Sequence, residues 1–179
     1  LSFTVHRSPL TTKKVMFELK HLSKDDIPAA LEKAKHYRLL NEPSAAQSIC
    51  LDVLEVEPDN QEALVIIVLA MSDRLDRDYN VGDSQEIKDY LSRISDAAER
   101  AYYTGIVYER RAKAYLKKNA TGSESTVFEL FRQAMNCFEK AEDSPRSADA
   151  KLRWNQCARI IMSNKLAPQE KSFDFDFIE

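Results

Sequence analysis

An all-α fold is predicted from three observations. The 179-residue chain holds only three glycines and six prolines while 31% of its residues are charged, a composition of helices with solvated faces. Apolar side chains recur at spacings of three and four over most of the chain, the helical period. Turn-forming residues interrupt that period at 41–43, 58–60, 76–83 and 145, so the helices are short and lie in antiparallel pairs. The length suits one domain with a real core.

In order, residues 1–12 alternate apolar and polar up to Pro9 and are expected to form an extended arm. A short helix is expected over 13–22, with Val15, Met16, Leu19 and Leu22 on one side. Ser23 is expected to accept a backbone N–H as the cap of the next helix, with Asp25 and Asp26 favoured by the helix dipole. Residues 27–60 then form one helix-turn-helix unit. Ala30, Leu31, Ala34, Tyr37 and Leu39 mark its first helix, Asn41 to Pro43 its turn, and Ala46, Ile49, Cys50, Val53 and Leu54 its second helix. Pro43 is tolerated at a helix start and Pro58 stops that helix. A third helix over 61–75 is apolar nearly all round and must be covered on several sides. After a polar loop at 76–83, Ile87, Tyr90, Leu91, Ile94 and Ala98 predict a fourth helix.

The 27–60 unit resembles a tetratricopeptide repeat, a helical hairpin of about 34 residues. Tyr37, Ala46 and Pro58 stand at its aromatic, small and proline positions, with Ala34 at a small-residue position, whereas Lys33 and Val53 depart from the pattern. A third pair repeats the match: Tyr108, Ala112 and Tyr115 in its first helix, then Ala134, Phe138 and Ala141, then Pro145. Residues 117–127 read as a surface insertion in that unit. Residues 147–165 give a last helix, with Leu152, Trp154, Cys157, Ile160 and Ile161 available for burial. The resemblance implies a right-handed stack of antiparallel hairpins, an α-solenoid of about three pairs with a C-terminal capping helix. The expected organisation is an arm and short helix at 1–23, the repeat domain at 24–165, and a Phe/Asp tail at 166–179.

Net charge is −3, so no global basic field draws the chain to nucleic acid or an anionic membrane. Cys50, Cys137 and Cys157 lack metal-ligand spacing and read as reduced core residues. His6, His21 and His36 are not paired for a metal, and the scattered glycines exclude a phosphate loop. Residues 76–87 lack the glycine and glutamate positions of a calcium loop, so no metal or cofactor is expected. The longest apolar run, 63–71, is too short to span a bilayer, and no signal peptide is expected within the residues after Leu1. The expected compartment is the cytoplasm.

The resemblance also implies where a partner sits, because the first helices of such units line a concave groove. The corresponding positions are Leu31, Lys35 and Arg38; Glu62, Val65 and Leu69; Glu109, Lys113 and Leu116; and Leu152, Gln156 and Arg159. The asparagines of a chaperone-carboxylate clamp are absent from these positions. A non-catalytic adaptor, scaffold or chaperone-like module is expected, holding an acidic or amphipathic protein segment through apolar anchors and basic residues. Two other classes are weighed against it. A nucleic-acid binder would use the basic 110–118 face with Tyr108 and Tyr115 stacking on bases, although those tyrosines also fit as packing residues. A small helical enzyme is the third.

Overall fold

The computed structural model describes residues 18–75, 85–118, 123–142 and 144–169. Among them the chain forms seven α-helices: α1 Ile27–Leu39, α2 Pro43–Val56, α3 Gln61–Asp73, α4 Gln85–Ser92, α5 Ala97–Lys118, α6 Glu124–Glu139 and α7 Ser147–Ser163. No strand occurs among the described residues. Each helix packs on the next, α1 also touches α3, and α3 touches α5. This is a stack of helix pairs around one continuous core.

The first pair forms where the turn residues place it. Asn41 adopts a left-handed φ of 61°, a conformation asparagine tolerates better than most residues. There the Glu42 N–H donates to the Tyr37 carbonyl at 2.9 Å, closing α1, and Pro43 opens α2. Ala34, Ala46, Cys50 and Val53 are buried between the helices and α3. Asn60 caps α3 by accepting the Ala63 N–H at 3.0 Å. α3 lies at the centre, with Ala63, Leu64, Ile66, Ile67, Val68, Ala70 and Met71 all buried. An apolar helix in this position is covered by its neighbours α2, α4 and α5.

Four local expectations need correction. Residues 18–23 are not helical, so the expected helix over 13–22 does not reach its C-terminal end, and 13–17 lie outside the described residues. Ser23 does not accept a cap hydrogen bond; its hydroxyl donates to Asp26 Oδ2 at 2.5 Å beside a 3-10 turn at Lys24–Asp26. The fourth helix does not run through Ala98. It stops at Ser92, and α5 restarts at Ala97 because Asp96 accepts the Glu99 N–H at 2.7 Å. Gln61 at the start of α3 fixes this corner, accepting from the Ser95 N–H at 2.8 Å and donating to the Arg93 carbonyl at 3.4 Å. Finally, both ends of the 117–127 segment are helical rather than loop: α5 reaches Lys118 and α6 begins at Glu124, while 119–122 lie outside the described residues. The expected polar loop at 76–83 and extended arm at 1–12 lie outside the described residues, as do residues 170–179 of the expected tail at 166–179, whose first residue Leu166 is buried.

α5 packs along α6, and Gly105 lets the Phe138 ring of α6 approach the α5 backbone. A β-carbon at Gly105 would lie 2.6 and 2.8 Å from atoms of the fully buried Phe138 ring. The ring is walled in by its neighbours, including Tyr102 at a centroid distance of 6.0 Å. Gly105→Ala is therefore expected to lower stability by about 1–2 kcal/mol, because overpacking outweighs the helix-propensity gain of roughly 1 kcal/mol. Urea unfolding of the two proteins checks this; an increase in the midpoint would mean that Phe138 yields at no cost.

Candidate functional site

α1, α3, α5 and α7 are joined along one side by a line of polar side chains. At α1, Lys35 pairs with Glu32 at 2.6 Å and crosses to Glu62 on α3. Those two hydrogen bonds hold the ammonium above the ordinary lysine range. About three turns further along α3, Asp73 at its end accepts from Arg38 Nε of α1 at 2.8 Å and from Arg110 Nη1 of α5 at 2.7 Å. Arg110 also donates to the Leu69 carbonyl at 3.2 Å and to the Ser72 hydroxyl. Burial pulls the Arg110 pKa down and the Asp73 carboxylate opposes that shift.

The line continues from α5 to α7. Glu109 is 1% exposed, yet both carboxylate oxygens have cationic partners: Lys113 four residues along α5, and Arg153 of α7 at 2.9 Å. Lys113 also reaches Gln156 of α7 at 3.2 Å. Arg153 donates from Nε to the Tyr102 hydroxyl at 3.0 Å, and that hydroxyl donates to Asp149. Arg146 lies over the faces of Tyr102 and Tyr103, 5.7 Å from each ring centroid, and donates to the Tyr103 hydroxyl at 2.9 Å. Burial raises the Tyr103 pKa, with Arg146 opposing, so this hydroxyl stays a neutral acceptor.

The twelve residues singled out as groove positions thus have different environments. Leu31 and Glu109 are buried; Lys35, Arg38, Val65, Leu69, Lys113 and Leu116 are half-buried; Glu62, Leu152, Gln156 and Arg159 are exposed. The seam brings Lys35 to Glu62, and Lys113 to both Glu109 and Gln156. Leu152 and Arg159 fall within one turn of Gln156 on the same stripe of α7. Lys35, Arg38 and Lys113, read from sequence as basic contacts for a ligand, are each matched by an acid of the chain itself.

Sequence reasoning missed Asp73, Tyr102, Arg146, Asp149 and Arg153. A signal for the α5 start was present in Asp96-Ala97-Ala98-Glu99, the capping spacing of an acid followed three residues later by glutamate.

Other candidate chemistry is limited by the same geometry. Of the basic residues at 110–118, Arg110 and Lys113 are neutralised within the seam, while Tyr108 and Tyr115 pack against the core. Among the described residues, no group of three or more His, Cys, Asp or Glu could hold a metal ion. No described helix is long and apolar enough to cross a membrane. The thiols of Cys50 and Cys157 are buried, which pushes each pKa from 9.0 up to about 12.

Two outcomes follow from these environments. Glu109→Ala leaves two cations facing a vacated buried site and is expected to cost about 3 kcal/mol, read by urea unfolding; a loss below about 1 kcal/mol would mean that Arg153 and Lys113 regain water freely. Cys50 and Cys157 stay protonated in the folded chain between pH 9 and 12, where the unfolded chain ionises. Their stabilising contribution is complete below pH 9 and is lost as pH rises toward 12. Both thiols should resist alkylation just below pH 9 until the protein unfolds, as mass spectrometry of labelled peptides would show.

Compared with known proteins, the chain matches no family model, no curated protein and no solved structure.

Proposed function

We propose that the chain is a non-catalytic protein-binding module, a tetratricopeptide-like right-handed α-solenoid whose alternate helices α1, α3, α5 and α7 present a groove to a protein segment. The observation that carries the reading is the polar seam linking those four helices on one side of the stack. The residue pattern at Tyr37, Ala46 and Pro58, repeated at Tyr108, Ala112, Ala134 and Phe138, supports the same arrangement.

The ligand is an amphipathic segment held mainly by apolar contacts. Val65, Leu69 and Leu116 are half-buried on the proposed face, and Leu152 is 66% exposed at its α7 end. The cations of this face already have acidic partners, so charge sets the orientation of the ligand more than its affinity. A strongly acidic ligand gains little, because it must displace Glu62, Asp73 or Glu109 to reach them. Nucleic acid is disfavoured by the same neutralisation of Arg110 and Lys113.

The test uses exposed positions whose substitution spares the core. The intact chain and a Leu152→Glu/Arg159→Glu variant, matched in helical circular dichroism and unfolding midpoint, are used to capture partners from lysate. The variant is expected to lose one defined protein by tenfold or more, about 1.4 kcal/mol or greater in binding. Capture of the same set by both chains would refute the groove on α7 as the binding face.

A further inference from the structure

α1 and α2 each carry a second stripe beside the one they bury. Ile27, Leu31 and Ala34 of α1 and Ala46, Cys50 and Val53 of α2 fill the core. About 100° around each helix from those residues lie Ala30, Lys33 and Tyr37 on α1, and Ala45, Ile49 and Asp52 on α2. A helix covered on one side alone needs one apolar stripe, so the second marks a face built for another contact. The two stripes border a groove of about 520 Å³ whose lining, among the described residues, comes only from this pair and the segment leading into it. Ala30 and Ala45 are small enough to admit a helix at close interaxial distance.

The charges of the groove identify its occupant. Lys33 and Asp52 stand one on each helix, and neither has an ion pair among the described residues; the Lys33 ammonium lies 6.0 Å from the Tyr37 ring centroid. Asp26, the other acid at the groove, accepts from the Ser23 hydroxyl. A surface that offers one unmatched charge of each sign complements itself under two-fold rotation, which sets each residue of one copy against its counterpart's partner residue. The other end of the stack offers no such match. Asn155 and Arg159 of α7 are exposed there and separate its two exposed apolar residues, Leu152 and Met162, so a head-to-tail array would bury polar groups against the apolar groove.

We propose that the groove is the contact between two copies of this chain, with α1 of each lying between α1 and α2 of the other and Lys33 of each paired with Asp52 of the other. Ala30, Tyr37, Ala45 and Ile49 supply the association, and the two charge pairs fix its register. The arrangement is closed, because once two copies have joined no groove is left to recruit a third. The contact uses a different side of α1 from the proposed ligand groove, whose α1 residues are Leu31, Lys35 and Arg38. A joined pair therefore presents two ligand faces and holds a partner with two segments more tightly than one chain does.

The test is sedimentation velocity of the full chain from micromolar to submillimolar concentration, beside Lys33→Asp and Asp52→Lys. Lys33 is exposed and Asp52 half-buried at the groove, so neither substitution touches the core. The parent chain is expected to show a monomer–dimer equilibrium, and each variant alone to dimerise about tenfold more weakly, because like charges then meet at both junctions. An equimolar mixture of the two variants is expected to dimerise as well as the parent, since unlike chains restore an opposite-sign pair at both. A parent chain that stays monomeric throughout would overturn the proposal and leave the groove to the chain's own residues or to a different protein. Dimers unaffected by either substitution would overturn it in favour of another face, and variants that stay monomeric when mixed would overturn the pairing of Lys33 with Asp52. If either single variant loses helical circular dichroism, Lys33→Asp/Asp52→Lys in one chain takes its place. That double variant keeps the net charge and both pairs, so it must dimerise as the parent does, and a monomer would count against the proposal.

Discussion

The burial of α3 is the constraint on which the rest of the structure depends. Seven apolar residues of one thirteen-residue helix are almost completely covered, so every helix it touches has its place set by that helix's surface. α2, α4 and α5 all pack against it, and α1 touches it as well. Even the boundary between α4 and α5, remote in sequence, is held by Gln61 from the first turn of α3. The short α4 and the long α5 are two halves of one adjustment. A helix that stops at Ser92 leaves Ile94 buried in the corner, and the next helix departs in a new direction toward α6.

Polar groups supply what the apolar core does not, namely specificity of one helix for another. A hydrophobic face tolerates sliding and rotation, whereas Asp73 between Arg38 and Arg110 is satisfied in one arrangement only. The seam at α7 has the same character. Only Ala150 and Cys157 of α7 are fully buried, and its attachment to α5 runs through Arg146, Arg153, Asp149 and the two tyrosines. α7 is thus held to α6 by apolar packing and oriented against α5 by charge.

Much of this was legible in the sequence, and what was not has a physical reason. The hairpin at 27–60 could be read because Pro43, Asn41 and Pro58 act through their own backbones, without help from distant residues. α3 could be read because a helix apolar all round has one kind of environment. The break after Ser92 was hidden because Ile87, Leu91, Ile94 and Ala98 keep a helical period across it; what ends the helix is a contact from Gln61, more than thirty residues earlier. The helical ends of 117–127 were missed because a standard hairpin length was assumed, whereas α5 extends to twenty-two residues. For the groove, apolar period located the helix faces, but pairing decides which charges remain available, and pairing between helices does not follow from spacing within one. Glu109 shows this most plainly: at a position expected to face a ligand, it is closed over by Arg153.

The shared carboxylate of Asp73 also constrains how this protein can change over time. An ordinary ion pair can be inverted in two steps, since the loss of one member is repaired by the other. Asp73 serves three helices at once, so reversing its charge strands two arginines, and either arginine lost alone leaves the acid still tied to the other. The order of change is therefore constrained: an arginine can go first while its counterpart holds the acid, but the acid cannot go before both arginines.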